Sequence, residues 1–306
     1  MKNFIDYYYN INVSEIKHIH DKYFIYTNNE RYMLKVFGDT DFFMVYEYLA
    51  NQLDKYLYFF RIVKNRQNDY LTYIDDKPYI LLKLSDINNN TISIYDIKIN
   101  QFFEYSNKIS RLIRFPWVKL WENKIDYFEE WCYLKQNQYK NMYSLFHYFI
   151  GVAENAVLYL KITEAEEKVE EIDRLVISHN RLSMDSSLYD YYDPTNIVLD
   201  HPSRDVSEYI KSTYVHGNFD IKLLEEYLNE HHFSKYGLRL LYARILFPSF
   251  FFDYIDEMIL NSYDTDLLYL EARIIEFEKF ISQISVFFKE KYDIPVVTWC
   301  IKEISY

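Results

Sequence analysis

The sequence predicts a two-lobed α+β fold: a small five-stranded lobe over residues 1–85 and a mainly helical lobe over residues 86–306. Three observations predict it. Apolar residues alternate through most of the first third and then recur at helical spacing. A non-helical stretch, 177–205, carrying Pro194 and Pro202, interrupts the helical part. A chain of 306 residues exceeds the usual size of one domain, which favours two coupled lobes.

The elements follow in order. Ile16–His20, Tyr23–Thr27 and Arg31–Phe37 are β-prone runs parted by turn-like Asp21-Lys22 and Asn28-Asn29-Glu30. After Thr40-Asp41 the period changes, and Phe42, Val45, Tyr46, Leu49, Ala50 and Leu53 share one helical face. Strands Tyr70–Ile74 and Tyr79–Leu84 follow, joined by Asp75-Asp76-Lys77-Pro78. Beyond them Ile94–Ile109, Lys124–Leu134 and Tyr139–Lys161 read as helices, and Thr163-Glu164-Ala165-Glu166 reads as a capping box opening another. Helices resume at Leu223–His231, Tyr236–Ile245, Phe250–Leu260 and Asp266–Phe288. A long irregular segment inside a helical lobe suits an active-site loop.

Composition narrows the function. A net charge of −12 repels nucleic acid and anionic membranes, so neither is expected as a partner. The opening MKNFIDYYYN lacks the pattern of a signal peptide, and the apolar run around Leu240–Phe252 holds Arg244 and Pro248, so no membrane insertion is expected. Cys132 and Cys300 stand alone, which argues against a disulfide and a zinc site. Gly38, Gly151, Gly217 and Gly237 are the only glycines, so no P-loop or GxGxxG cradle can be written. The 34 tyrosines fit an AT-rich genome better than a surface built for stacking or oxidative cross-linking. His18, His20 and the adjacent His231-His232 read as satisfied or solvated side chains rather than metal ligands. Trp117, Trp121 and Trp131, with Tyr127 and Phe128, read as helix-packing anchors, with the lining of a ligand cleft as the other use.

A five-stranded lobe, a helical lobe and an irregular segment between them is the arrangement of kinase-like phosphotransferases. Their chemistry needs a lysine on the third strand, reaching phosphates and steadied by a glutamate of the next helix. Lys35 and Glu47 stand in those places. A metal-binding aspartate should end a short apolar strand, and Ile197-Val198-Leu199-Asp200 supplies Asp200. The loop ISHNRLSMDS (177–186) departs from the pattern. Aminoglycoside and choline kinase-type enzymes use His-Gly-Asp-Leu-x-x-x-Asn; here His179 and Leu182 match, Asn180 replaces the glycine and Arg181 takes the aspartate's place. Ser186 occupies the asparagine spacing. A guanidinium cannot accept a proton and repels a metal ion. Asp185 is the nearby carboxylate that could stand in. Asp205 is placed to cap a helix over Val206–Lys211, and Arg204 or Arg181 to neutralise Asp200.

Three stretches, YFIGVAENAVLYL (148–160), LDHPSRDVSEYIK (199–211) and LLYARILFPSFFFDYI (240–255), with IPVVTW (294–299), resemble the spore-coat-associated kinase-like family of endospore-forming Firmicutes, the CotS/YutH group, the YutH type being nearer. The resemblance implies a protein-kinase-like fold of aminoglycoside phosphotransferase type. It implies a protein made in the mother-cell cytoplasm and assembled onto the spore coat, with other coat proteins as partners. With Arg181 in the loop, the expectation is a pseudokinase with no catalytic residue and no cofactor. The alternative is a divergent phosphotransferase using ATP and magnesium through Lys35, Glu47 and Asp200.

Overall fold

The computed structural model describes residues 1–38, 45, 48, 59–99, 107–135, 142–261 and 267–301. They fall into two units. The first comprises Met1–Ile92, Glu104–Ile113 and Ser186–Ile197; the second comprises Ser93–Phe103, Arg114–Asp185 and Val198–Tyr306.

The first unit is built on an antiparallel sheet ordered β1 (Glu15–Ile19), β2 (Lys22–Tyr26), β3 (Arg31–Val36) and β6 (Lys77–Lys83). The next place is shared: β4 (Arg61–Val63) pairs with one end of β6 and β5 (Leu71–Ile74) with the other. Among the described residues the sheet thus has six strands where alternation predicts five. β4 is three residues long, too short for a period of two to register. The β5–β6 loop is Asp75-Asp76, both at positive φ, as a two-residue type I′ turn requires. The first hairpin turns one residue earlier than predicted, at His20 with φ 54°.

Alternation divides β3 between two cores. Tyr32 and Leu34 join Ile25 and Leu81 beneath α1 (Lys2–Tyr9), an amphipathic helix that sequence reading missed and whose Ile5 and Tyr9 are buried there. Burying a side chain such as Ile5 contributes about 1.5–3 kcal/mol. Met33 and Phe37 face the other way, with Phe60, Ile80, Leu82 and Tyr189. The helix expected over 42–53, Glu47 included, lies outside the described residues apart from isolated positions.

The second unit is mainly helical: α2 (Trp117–Lys135), α3 (Tyr143–Glu166), α5 (Ser203–Val215), α6 (Ile221–Glu230), α7 (Lys235–Leu246), α8 (Ser249–Asn261) and α9 (Leu267–Tyr292). Its core is aromatic, with Phe149 stacked on Phe251 at 4.2 Å and Phe128 against Phe252 at 4.7 Å. Trp121 stacks on Phe247 and Trp131 meets Phe146, so these two tryptophans pack helices.

Three local expectations are corrected. Ile94–Ile109 is not one helix: Ile94–Asp96 is a 3-10 turn closed by Asp96 accepting from Ser93, and Ile97 is already extended. Thr163 opens nothing. It lies in the last turn of α3 and donates to the Tyr159 carbonyl, the i−4 bond by which a buried threonine satisfies its hydroxyl. The stretch 177–205 is not featureless, since β7 (Val176–His179) pairs with β8 (Ile197–Asp200) and a one-turn α4 (Leu188–Tyr191) lies between.

Candidate functional site

On β3, Lys35 follows the alternation of Met33 and Phe37, so it leaves the sheet on the face opposite α1. Its ammonium donates to Asp193 Oδ2 at 2.7 Å and to Thr195 Oγ1 at 3.0 Å. Asp193 is 2% exposed. Its other oxygen accepts from the Thr195 amide and hydroxyl, which makes it the N-cap of the Pro194–Asn196 turn. Nothing in Asp-Pro-Thr-Asn signals a partner for Lys35; read locally it is a cap followed by proline at the first position of a turn.

In the second unit Asp200 ends β8 and is wholly buried. Trp117 Nε1 donates to Oδ1 at 2.7 Å, the His201 amide donates to Oδ1 at 2.7 Å, and Arg204 donates to Oδ2 at 2.8 Å. The Arg244 guanidinium also donates to Oδ1 and lies 5.1 Å from the Trp117 ring centroid. Three donors thus converge on Oδ1 and one on Oδ2. Arg204 was anticipated; Arg244 and Trp117 were not. A signal for Arg244 did exist, because an arginine within a buried apolar run demands an acid partner.

Adjacent residues of one helical turn then fix the loop. Arg204 donates to the His179 carbonyl at 2.7 Å and to that of Asn180 at 2.6 Å. Asp205 does not cap its own helix. It accepts from the His179 amide at 2.9 Å and meets His179 Nδ1 at 2.7 Å, and His179 is wholly buried. The loop's shape is held from α5.

Arg181 does not reach Asp200. It donates to Glu208 at 2.8 Å and to Asp253 at 2.7 Å, leaving about half its side chain exposed. Burial works against the Glu208 charge, but Lys211, Arg181 and Arg204 hold its carboxyl well below the usual range. Burial pushes the Asp253 carboxyl up. Arg181, Glu208, Lys211 and Asp253, with Leu182 and Phe250, line a cavity of about 430 Å³. Asp185 pairs with His216 and is two-thirds exposed. Ser186 belongs to the first unit, where its carbonyl accepts from the Ile92 amide at 2.9 Å.

Behind Asp200 lies a polar knot. His201 bonds Ser203 Oγ at 2.9 Å and Asp173 Oδ1 at 3.0 Å, and Ser234, the N-cap of α7, donates to the same carboxylate. All four are buried, directly behind the end of β8. Gly237 packs closely there: a β-carbon would stand 3.0 Å from Asp173 Oδ1 and 3.2 Å from His201 Cε1, so those side chains would have to give by a few tenths of an ångström.

The residues present do not fit a divalent cation. Two arginines and two N–H donors already occupy Asp200, and among the described residues no group of three or more His, Cys, Asp and Glu is arranged to hold a metal. No helix among the described residues is long and apolar enough to cross a membrane.

An antiparallel-sheet unit and a helical unit that carries the loop and the strand-ending aspartate define a kinase-like phosphotransferase fold. Solved structures agree. Spectinomycin phosphotransferase APH(9)-Ia, in complex with ADP and spectinomycin, is 11% identical, matches over 92% of both chains and has a TM-score of 0.54. An aminoglycoside phosphotransferase from Alicyclobacillus acidocaldarius is 10% identical over 90% of this chain and 92% of its own, with a TM-score of 0.53. The chain belongs to the family described as "Spore coat putative kinase YutH", whose model matches residues 2–290. Its relative, endospore coat-associated protein YutH of Bacillus subtilis (strain 168), is 27% identical over 330 residues, 95% of each chain.

Proposed function

We propose that this chain is a pseudokinase of the endospore coat, a structural or assembly component that acts through other coat proteins and not through phosphate transfer. It would be made in the mother-cell cytoplasm and assembled onto the coat. The observation that carries the reading is the Asp200 carboxylate, buried and engaged by Arg204, Arg244, Trp117 and the His201 amide. Its Oδ1 is saturated by three donors, and the acceptor site left on Oδ2 lies beside the Arg204 guanidinium, whose positive charge opposes a metal ion. Arg181 supports it, since no proton acceptor stands where the reaction needs one. The coat assignment rests on family membership and on the coat-associated relative. The alternative, a phosphotransferase using Lys35, Glu47 and Asp200 with Asp185 as base, requires Lys35 and Asp200 to break the ion pairs they form here.

The test is transfer of labelled phosphate from ATP, with magnesium, to small hydroxylated compounds and to coat extracts. No transfer above background is expected. Transfer that disappears in both Lys35→Met and Asp200→Ala chains would overturn the proposal.

A further inference from the structure

Helix α2 is apolar on two faces, and the core uses only one. Ile125, Phe128 and Cys132 are buried beneath it. On its outer side Leu120, Tyr127 and Leu134 follow one another at intervals of seven residues and are 43%, 49% and 68% exposed. Single exposed apolar side chains are ordinary. Three at two-turn spacing form a row about 21 Å long, the seam that one helix offers to another. A surface helix needs one apolar stripe to hold it to the core, so folding does not explain the second. The row is also firmly carried. Phe128, edge-on to Tyr127, meets Phe252, and Trp131, one turn beyond Tyr127, meets Phe146.

Charge selects the occupant. Asp126 and Glu130 flank the row one turn apart, both exposed and neither in an ion pair among the described residues. The cations nearby are committed elsewhere. Lys161 pairs with Glu122 at 2.7 Å and, with Lys119, holds its carboxyl below the ordinary value, while Lys124 pairs with Asp256 at 3.0 Å. A second copy would bring the same acids, and a net charge of −12, against their like. An anionic membrane is repelled for the same reason. A basic segment is attracted.

We propose that the outer face of α2 is a docking surface for a helical segment of another protein, one with apolar residues at seven-residue spacing and lysine or arginine beside them. The apolar row supplies the contact area, and Asp126 and Glu130 set the sign of the partner's charge. The proposal rests on the reading of the chain as an assembly component, for it says where such a component is gripped and by what kind of segment.

The probe is a labelled peptide of three Leu-Ala-Ala-Leu-Lys-Ala-Lys heptads, followed by fluorescence anisotropy with the intact chain at low salt. Two peptides serve as controls: one with glutamate for every lysine, and one of the probe's composition shuffled to break the heptad. Wild type should bind the probe at least about tenfold more tightly than either control. Tyr127→Ser/Leu134→Ser should lose at least about tenfold of that affinity with an unmoved thermal midpoint, since both side chains are exposed. Asp126→Lys/Glu130→Lys should turn the preference toward the glutamate peptide. Equal binding of ordered and shuffled probes overturns the proposal, because net charge alone is then recognised. So does a wild type that ignores the probe, or a charge variant whose preference does not turn. Sedimentation velocity adds one more outcome: a wild-type dimer that Tyr127→Ser/Leu134→Ser dissociates makes a second copy the occupant and overturns the proposal. Phosphate transfer by wild type would refute the functional reading without moving these affinities, whereas an inactive wild type that ignores the probe refutes only the docking surface.

Discussion

Asp200 and His201 are neighbours in sequence and opposite in electrostatic situation. Asp200 is compensated by two guanidinium groups, while His201 is shut in with one carboxylate and two serines. Burial drives the His201 imidazole below its ordinary value, more strongly than the Asp173 hydrogen bond raises it. The folded state then binds fewer protons than the unfolded state below about pH 6.5, the unperturbed histidine value. Stability from this group is complete above that pH and is lost as pH falls toward the depressed folded value, at no more than about 1.4 kcal/mol per pH unit. Urea melts from pH 7.5 to 5.5 should therefore slope more steeply for wild type than for His201→Gln. Equal slopes would refute this. At this scale the sequence was partly legible. Arg204, beside the helix start, was one of two arginines expected to neutralise Asp200, but the targets of Arg181 depend on α5 and α8 meeting, which no local pattern encodes.

Among the elements, the strap from Ser186 to Ile197 is the least legible. An irregular segment was expected across 177–205; its residues 186–197 are bound into the sheet unit by backbone bonds and by Tyr189. Truncating a buried aromatic costs about 3–5 kcal/mol, so Tyr189→Ala should lower the urea midpoint by that equivalent; a change under about 0.5 kcal/mol, the range of surface substitutions, would show that the strap is not part of the core. The hairpin at Asp75-Asp76 and the long helices were legible because their signals are local: turn residues at fixed offsets and sustained apolar periods. Ile94–Ile109 misled because Ile94 and Ile97 are buried from a turn and an extended residue, and their spacing merely imitates a helix.

For the whole molecule, the order of strands, helices and irregular segment sufficed to indicate the phosphotransferase fold, and similarity to solved structures agrees with it. The tyrosines and phenylalanines form much of the helical core, where stacked and edge-on rings fill space with few glycines to thin it. What the order of elements could not convey is the state of the site, because ion pairs such as Lys35–Asp193 and Arg244–Asp200 join residues more than forty positions apart. The central proposal is that, within each unit, such pairs occupy the groups a nucleotide and its metal would require. Thermal unfolding of wild type with ATP, with and without magnesium, tests it most directly. A ligand at one hundred times its dissociation constant stabilises by about 2.7 kcal/mol, which at about 2–4 °C per kcal/mol is readily seen for a chain of this size. An unmoved midpoint is predicted under both conditions. A rise that requires magnesium and vanishes in Asp200→Asn would contradict the account.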